Sequence, residues 1–224
     1  MPCRRAALGI AVVGTLCAFS LSVRGQSLEP LPIELPKPMF EGTPQNFAVS
    51  NLQHPLGRAR DPFLAPAGVT NVARDKPVAS SDDFPIIGEL EQVTDGDKEG
   101  AEGSFVELGP GVQHVTVDLG ATHEVYAILF WHFHKQARAY LDVVVQVADD
   151  ADFTKNVRTL FNNDHDNSSG LGLGQDKEYW ETYEGKLIDC RGVEGRYVRL
   201  YSRGNHFDDK NHYTEVDVFG RPAA

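Results

Sequence analysis

Residues 113–119 read Gln-His-Val-Thr-Val-Asp-Leu, and apolar and polar side chains alternate along most of this stretch. In an extended chain, Val115, Val117 and Leu119 lie on one face and the polar residues lie on the other. A period of two is typical of a β-strand that presents one face to a hydrophobic core. The stretch therefore predicts a half-buried β-strand.

Five further stretches have the composition of β-strands, and clusters of Gly, Asn and Asp separate them. They are residues 125–131, 141–148, 186–189, 196–201 and 213–219. No stretch of ten residues has the apolar period of a helix. Six or more strands without crossover helices predict an all-β fold, either an antiparallel sandwich or a barrel.

The beginning of the chain has the pattern of an export signal. Arg4 and Arg5 give a positive start, residues 6–21 carry no charge, and small residues at positions −3 and −1 precede Gln26. A membrane anchor is the alternative, but the uncharged stretch is shorter than the roughly 20 apolar residues that a spanning helix needs. We therefore expect residues 1–25 to be a signal peptide. The mature protein is then secreted, periplasmic or at the cell surface, without membrane insertion.

The charge and the cysteines exclude several classes of protein. The formal net charge is −11, and removal of three arginines with the signal peptide makes it −14. Binding to nucleic acid or to an anionic membrane surface needs clustered positive charge, so both are disfavoured. Cleavage also leaves Cys190 as the one cysteine, so the exported fold is expected to stand without an intramolecular disulfide.

Residues 26–68 differ from the rest of the chain because they contain eight of its 13 prolines. Proline lacks an N–H donor and restricts the residue before it, so a helix is excluded here. We expect an extended segment that is either a linker or an arm lying on the following domain. The chain thus divides into a signal peptide (1–25), a Pro-rich segment (26–68) and a β-domain (69–221).

Five short motifs follow one another in the β-domain. They are Asn71–Ser80, Val93–Asp97, His114–Gly120, Gly195–Tyr201 and Thr214–Gly220. In this order they resemble the discoidin-like domains, the coagulation factor V/VIII type C group of the galactose-binding-like superfamily. The resemblance covers about two thirds of the chain and implies an antiparallel jelly-roll β-sandwich of eight strands.

The resemblance also implies a mostly non-catalytic module that binds glycans, phospholipid headgroups or proteins through loops at one end of the sandwich. The chain is more similar to the galactose-binding carbohydrate modules than to the lipid binders, because it shows neither their cysteine pairs nor their exposed apolar projections. Two features depart from the family. Ser104-Phe105, after an insertion at residues 98–103, stands where a Thr or Ser followed by a Trp is usual, and the stretch of residues 162–184 is long for the family.

A structural calcium site is implied by the same resemblance. Asp95 and Asp97 flank Gly96 in a turn, and Glu215 matches the position of a carboxylate that completes the family's metal site. Calcium takes several oxygen ligands, many of them backbone carbonyls. The alternative is a solvated acidic turn with a surface glutamate. We expect a calcium ion that ties this loop to the last strand and takes no part in catalysis.

Candidate ligand-binding side chains occur in residues 131–138 and in the closing loop, residues 202–213. Sugar recognition needs multi-donor side chains for the hydroxyl groups and an aromatic ring for the C–H face. The candidates are Trp131, His132, His134, Arg138, Asn205, His206, Asn211 and His212, and the aromatic ring could also come from Trp180 or Phe207. The alternatives are core or solvated histidines and an ordinary polar loop.

His132 and His134 have a spacing that zinc sites also use, and His206 or His212 could add a third ligand. A metal-dependent hydrolase is therefore one alternative, although no nucleophile motif accompanies the pair. A protein-binding or cell-surface attachment module is another. The leading prediction is an exported, non-enzymatic module that binds a glycan or polysaccharide.

Overall fold

The computed structural model describes residues 27–38, 51–53, 56–101 and 103–223. The predicted signal peptide lies outside these residues. The strands are β1 (Leu28–Pro30), β2 (Leu64–Pro66), β3 (Thr70–Asn71), β4 (Val78–Ser80), β5 (Val106–Leu108), β6 (Gln113–Trp131), β7 (Val144–Ala148), β8 (Arg158–Asn162), β9 (Lys186–Ser202), β10 (Asn211–Tyr213) and β11 (Glu215–Pro222). A 3-10 helix at Leu90–Thr94 is the one helical element in the described part of the chain. No helix within these ranges combines the length and the apolar character needed to cross a membrane.

All pairs between these strands are antiparallel, which confirms the predicted all-β class. The main sheet has the order β3-β11-β6-β9-β7-β8, with β4 also on β6, and β5 pairs with β10. The first half of β6 lies between β4 and β9, whereas its second half lies between β11 and β9. Because the neighbours change along β6, its halves belong to the two layers of a sandwich.

Four predicted strands are in fact the halves of two long strands. Residues 113–119 and 125–131 both lie in β6, and residues 186–189 and 196–201 both lie in β9. The pairing register shifts between Asp118 and His123, where the extra residues form a bulge. A bulge bends a strand and increases its twist without ending the pairing. Gly120 supplies the left-handed backbone there, with φ of 83°.

The hydrophobic core lies between the two layers. Val115, Val117 and Leu119 are buried in one cluster with Phe130, which lies on the other half of the same strand. Strands from both layers contribute to this cluster with Val145, Val147, Val198, Leu200, Val216 and Val218. The predicted inward face of residues 113–119 is therefore confirmed.

The second half of β6 is buried on both faces, which explains its continuous apolar sequence. One face belongs to the main core. The opposite face forms a second cluster with the Pro-rich segment. The sheet contributes Ala127, Leu129, Trp131 and Phe219 to this cluster, the segment contributes Leu31 and Ala65, and Val69 follows the segment directly. The described parts of the Pro-rich segment thus lie on the β-domain.

Polar contacts hold this segment at two further places. The guanidinium of Arg60 donates to the carbonyl oxygens of Glu184 and Gly185, at 2.9 and 3.2 Å. The backbone N–H of Gln53 donates to the carbonyl oxygen of Glu178 at 2.7 Å. The described parts of the segment therefore contact the domain through polar groups as well as through apolar residues.

The stability of the domain should depend on the apolar contacts between the Pro-rich segment and the sheet. Leu31→Ala removes buried apolar contacts with the sheet, and we expect it to reduce the free energy of unfolding by about 2 kcal/mol. Leu28→Ala changes an exposed leucine of β1 and should cost less than about 0.5 kcal/mol. Urea unfolding of both variants checks this, and equal effects would contradict a packing role for the segment.

Candidate functional site

A cleft of about 500 Å³ opens beside the loop that joins β9 to β10. Three separate loops form its walls, because the turn before β6 and the segment before β7 meet the β9–β10 loop there. The lining residues are Gly111, Leu141, Arg203, Asn205, His206, Phe207, Asp208 and Asp209. Two of the eight sequence candidates, Asn205 and His206, line this cleft.

Two asparagine side chains hold the walls in place. Asn205 accepts hydrogen bonds from the N–H groups of Phe207 and Asp208, and it donates to the Asp208 carboxylate at 2.7 Å. Asn211 accepts from the N–H of Gly204 and donates to the carbonyl oxygen of Gly111, at 2.8 and 3.2 Å. These amides satisfy loop backbone groups that strand pairing leaves open. Both asparagines were predicted from the sequence to contact a ligand, whereas Asn211 is buried behind the wall of the cleft.

His206 has its ring orientation set by the neighbouring chain. Its Nδ1 accepts the backbone N–H of Ala139 at 3.0 Å, and the backbone N–H of His206 donates to the carbonyl oxygen of Ala139. The proton of the neutral ring is therefore on Nε2. Burial is the main cause that lowers the pKa of His206. The ring contacts Trp180 edge to face, with centroids 4.9 Å apart.

Arg138 supports the cleft from behind. Its Nη1 donates to the Asp208 carboxylate at 3.0 Å, and the guanidinium lies 5.2 Å from the ring centre of Phe207. Charged hydrogen bonds of this kind are the stronger ones in proteins. Arg138 is itself buried, so it fixes Asp208 and Phe207 and is not part of the lining.

Phe207 is the accessible aromatic ring of the cleft, with 68% of its surface exposed. Of the three rings considered from the sequence, Trp131 and Trp180 are buried. Arg203 and Asp209 also line the cleft and were missing from the eight candidates. Their position in the closing loop, residues 202–213, was the signal that could have identified them. Residue type alone does not indicate which side chains of a loop are exposed.

The remaining candidates use their polar atoms inside the protein. Trp131 Nε1 donates to the carbonyl oxygen of Tyr183, and His134 Nε2 lies 2.7 Å from the carbonyl oxygen of Lys98. His212 lies between the hydroxyl of Tyr140 and the carboxylate of Glu107, at 2.9 and 3.1 Å. The structure does not bring Trp131, His134 or His212 into the lining of the cleft.

His132 and His134 have separate surroundings, which bears on the zinc alternative. His132 Nδ1 lies 2.6 Å from Glu181 Oε1, and both side chains are fully buried. Within the described ranges, one group of three side chains brings metal-ligating atoms within 4.8 Å of one another. It consists of Asp142, Asp164 and Asp166, without a histidine.

A backbone hydrogen bond joins the loop of the predicted calcium site to Glu215, but Asp95, Asp97 and Glu215 are not among the described side chains whose ligating atoms all lie within 4.8 Å of one another. The N–H of Gly96, between Asp95 and Asp97, donates to Glu215 Oε2 at 2.9 Å. The carboxylate of Asp95 accepts the N–H of Asp97, and the carboxylate of Asp97 accepts the hydroxyl of Ser104. The loop and the start of β11 are therefore joined through the Glu215 carboxylate.

Glu215 is completely buried, and its Oε1 receives no hydrogen bond from a described residue. The neighbouring Thr214 hydroxyl is likewise buried without a hydrogen-bond partner in this part of the chain. Burial, and then the negative charge of Asp217, raise the pKa of Glu215 to about 9. Buried oxygen atoms without partners are costly, so this donor set fits a cation that seeks oxygen ligands.

No protein-family model matches the sequence, and no curated protein matches it. Among solved structures, the CBM32 of AlyQ in complex with 4,5-unsaturated mannuronic acid matches with a TM-score of 0.45 and 20% identity, over 65% of this chain and 96% of that chain. A chitosan-binding module from a chitosanase/glucanase of Paenibacillus sp. IK-5 matches with a TM-score of 0.45 and 18% identity, over 67% and 98%. A family 89 glycoside hydrolase from Clostridium perfringens matches with a TM-score of 0.49 and 16% identity, over 68% of this chain but 15% of that chain. Each TM-score is below 0.5, so the candidate site is defined by the residues of this chain alone.

Acid should destabilise the fold through His212. Burial is the main cause that lowers its pKa from 6.5 to about 4 in the folded state. The unfolded chain binds a proton near pH 6.5 and the folded ring does so near pH 4, so stability is lost as the pH falls through this window. We expect His212→Gln to show a smaller loss of Tm between pH 7 and pH 4.5. Burial lowers the pKa of His114 to about 4 as well, so part of the loss should remain.

The matched control for this prediction is His165→Gln, because His165 is exposed. It should keep the full pH dependence of the parent chain. An unchanged pH dependence in His212→Gln would contradict the assignment.

Proposed function

We propose that the chain is an exported, non-catalytic module that binds a glycan in the cleft beside Phe207. The observation that carries the proposal is an exposed aromatic ring on a loop whose polar neighbours are held by hydrogen bonds. The face of such a ring suits the C–H side of a sugar. Arg203 and the imidazole of His206 lie in the same lining, where they suit sugar hydroxyl groups.

The rigidity of the loop supports binding. Asn205, Asn211 and Arg138 hold the walls before a ligand arrives, so little side-chain or loop entropy is lost on association. A concave surface with few fixed polar groups and an apolar contact is the usual form of a small-ligand site.

The chemistry of the lining favours binding over catalysis. The lining has no serine, threonine or cysteine that could act as a nucleophile. Both of its carboxylates are paired, Asp208 with Arg138 and Asn205 and Asp209 with Lys210, and this lowers their capacity to act as a general base. The cleft therefore supports recognition of a saccharide without a reaction on it.

The proposal includes a structural calcium ion at Glu215 and the loop that contains Asp95 and Asp97. Lys98 Nζ lies 2.8 Å from Asp217, so this carboxylate is already compensated while Glu215 Oε1 is not. When bound, calcium supplies positive charge to the buried Glu215 carboxylate and connects the loop to β11. Its contribution is to stability, because the cleft lining contains none of these residues.

Calcium should therefore raise the Tm of the chain relative to a solution with chelator. At a free calcium concentration 100 times Kd, the expected stabilisation is about 2.7 kcal/mol. Glu215→Gln should abolish the calcium effect. Asp166→Asn alters the separate cluster with Asp142 and Asp164, and it should leave the effect intact.

Calorimetry with buffered calcium checks this prediction. Loss of the calcium effect in Asp166→Asn, with retention in Glu215→Gln, would place the ion at the three-aspartate cluster. An unchanged Tm in the parent chain would refute the calcium part of the proposal.

Glycan binding is tested with the chain that lacks residues 1–25 on an array of neutral, acidic and amino-sugar saccharides. Phe207→Ala should weaken binding to the strongest ligand by about tenfold, because the substitution removes the ring face that the sugar covers on binding. The control is Leu173→Ala, which alters another exposed apolar residue, 70% exposed, outside the cleft. Silence of the parent chain on the array would refute glycan binding and favour a protein partner.

A further inference from the structure

Residues 84–87 read Phe-Pro-Ile-Ile and form an exposed apolar segment. The exposed fractions are 86% for Phe84, 53% for Ile86 and 40% for Ile87. Exposed apolar projections were not predicted from the sequence, and these exposed fractions correct that expectation. Large apolar side chains gain free energy on burial, so an apolar group concentrated at the surface marks a contact site.

The backbone of this segment is held in position. Asp82 accepts the N–H of Phe84 with one carboxylate oxygen and the N–H of Gly109 with the other, at 3.0 and 2.8 Å. The N–H of Ile86 donates to the carbonyl oxygen of Glu107 at 2.7 Å. The exposed side chains are therefore presented by a braced loop.

The segment lies next to the cleft described above. Ile87 is opposite Glu107 on β5, and Glu107 is opposite His212 on β10. Two strand spacings, about 10 Å, thus separate the segment from β10. The cleft loop leads directly into β10, so both apolar surfaces flank the same short sheet.

One turn connects the two surfaces. Gly109 contacts Asp82 on the side of the apolar segment, and its carbonyl oxygen accepts from Asn211 on the side of the cleft loop. Gly111, in the same turn, is part of the cleft wall. A β-carbon placed on Gly111 would contact no protein atom within 4 Å, so the surface is open at this point. The loops that carry Phe84 and Phe207 therefore both contact this turn.

We propose that Phe84 and Ile86 form a second saccharide subsite, and that the module binds an extended glycan chain across the turn from the cleft. This inference rests on the proposed glycan binding at Phe207. One end of the chain occupies the cleft, and later sugar units contact the apolar segment. The ligand class is thus an oligosaccharide or polysaccharide, and a terminal monosaccharide does not satisfy both surfaces.

Two observations favour a saccharide over a lipid surface at this segment. The segment is continuous with the cleft through the turn at Gly109–Gly111. Exposed acidic residues lie on both sides of it in the sequence, at Asp83 and Glu89, and they repel an anionic membrane. A neutral sugar chain is not repelled by these acidic residues.

The experiment measures affinity against chain length by calorimetry. The probes are galacto-, chito- and galacturono-oligosaccharides of one to six units, and the protein is the chain that lacks residues 1–25. For a series that binds, we expect affinity to rise about tenfold between one and four units. Phe84→Ala should remove this rise and leave the monosaccharide affinity within about twofold. Phe84→Tyr, which keeps the ring, should retain the rise.

Phe207→Ala should weaken binding at every length, and Leu173→Ala should change nothing. Since Phe84 is almost fully exposed, Phe84→Ala should also keep the parent Tm. If affinity does not depend on length, or if Phe84→Ala binds every length as the parent does, the subsite is refuted and glycan binding in the cleft stands. If no series binds the parent chain, glycan binding fails and the subsite fails with it. Phe84-dependent binding to phosphatidylcholine vesicles, without a length effect on saccharides, would overturn the subsite in favour of a lipid contact.

Discussion

The antiparallel pairing of β6 with β9 runs through both layers of the sandwich, and the rest of the structure depends on it. Val115 lies opposite Leu200 in one layer and Ile128 lies opposite Ile188 in the other, so one pair of strands supplies both walls of the core. The same register sets Gln113 opposite Ser202. The turn before β6 is therefore adjacent to the loop after β9, and these two loops form much of the cleft.

Long strands that cross both layers also create an apolar outer face that must be covered. In the second half of β6, Leu129 and Trp131 face away from the main core. The Pro-rich segment covers them with Leu31 and Ala65, and it does so with little regular pairing to the main sheet. Proline suits this cover, because an extended chain with few N–H donors loses little when it lies across a sheet.

Buried polar side chains organise the end of the domain that carries the cleft. The pair His132 and Glu181 and the Asn211 amide lie inside the protein and hold loop segments that have no strand partners. Such groups are costly to bury and are kept where hydrogen bonds specify one loop arrangement. Glu215 Oε1 is buried without a hydrogen bond from the described residues, and the same holds for Glu181 Oε2. The proposed calcium ion is assigned to Glu215 because this carboxylate also joins the loop of Asp95 and Asp97 to β11, although Asp142, Asp164 and Asp166 form the closer acidic cluster.

The sequence by itself determined the all-β class of the fold and the inward-facing side chains of residues 113–119. Alternation at Val115 and Val117 was sufficient to predict the inward face of this strand, because local geometry sets the faces of a strand and the core requires apolar residues. The sequence also located the closing loop that borders the cleft. Only the tertiary structure decided that Phe207 is exposed while Trp131 is buried, and that Phe84 projects from the surface. Burial depends on which distant segments cover a residue, and hydrogen-bonding side chains serve a ligand and a loop backbone equally well, so neither can be read from residue type.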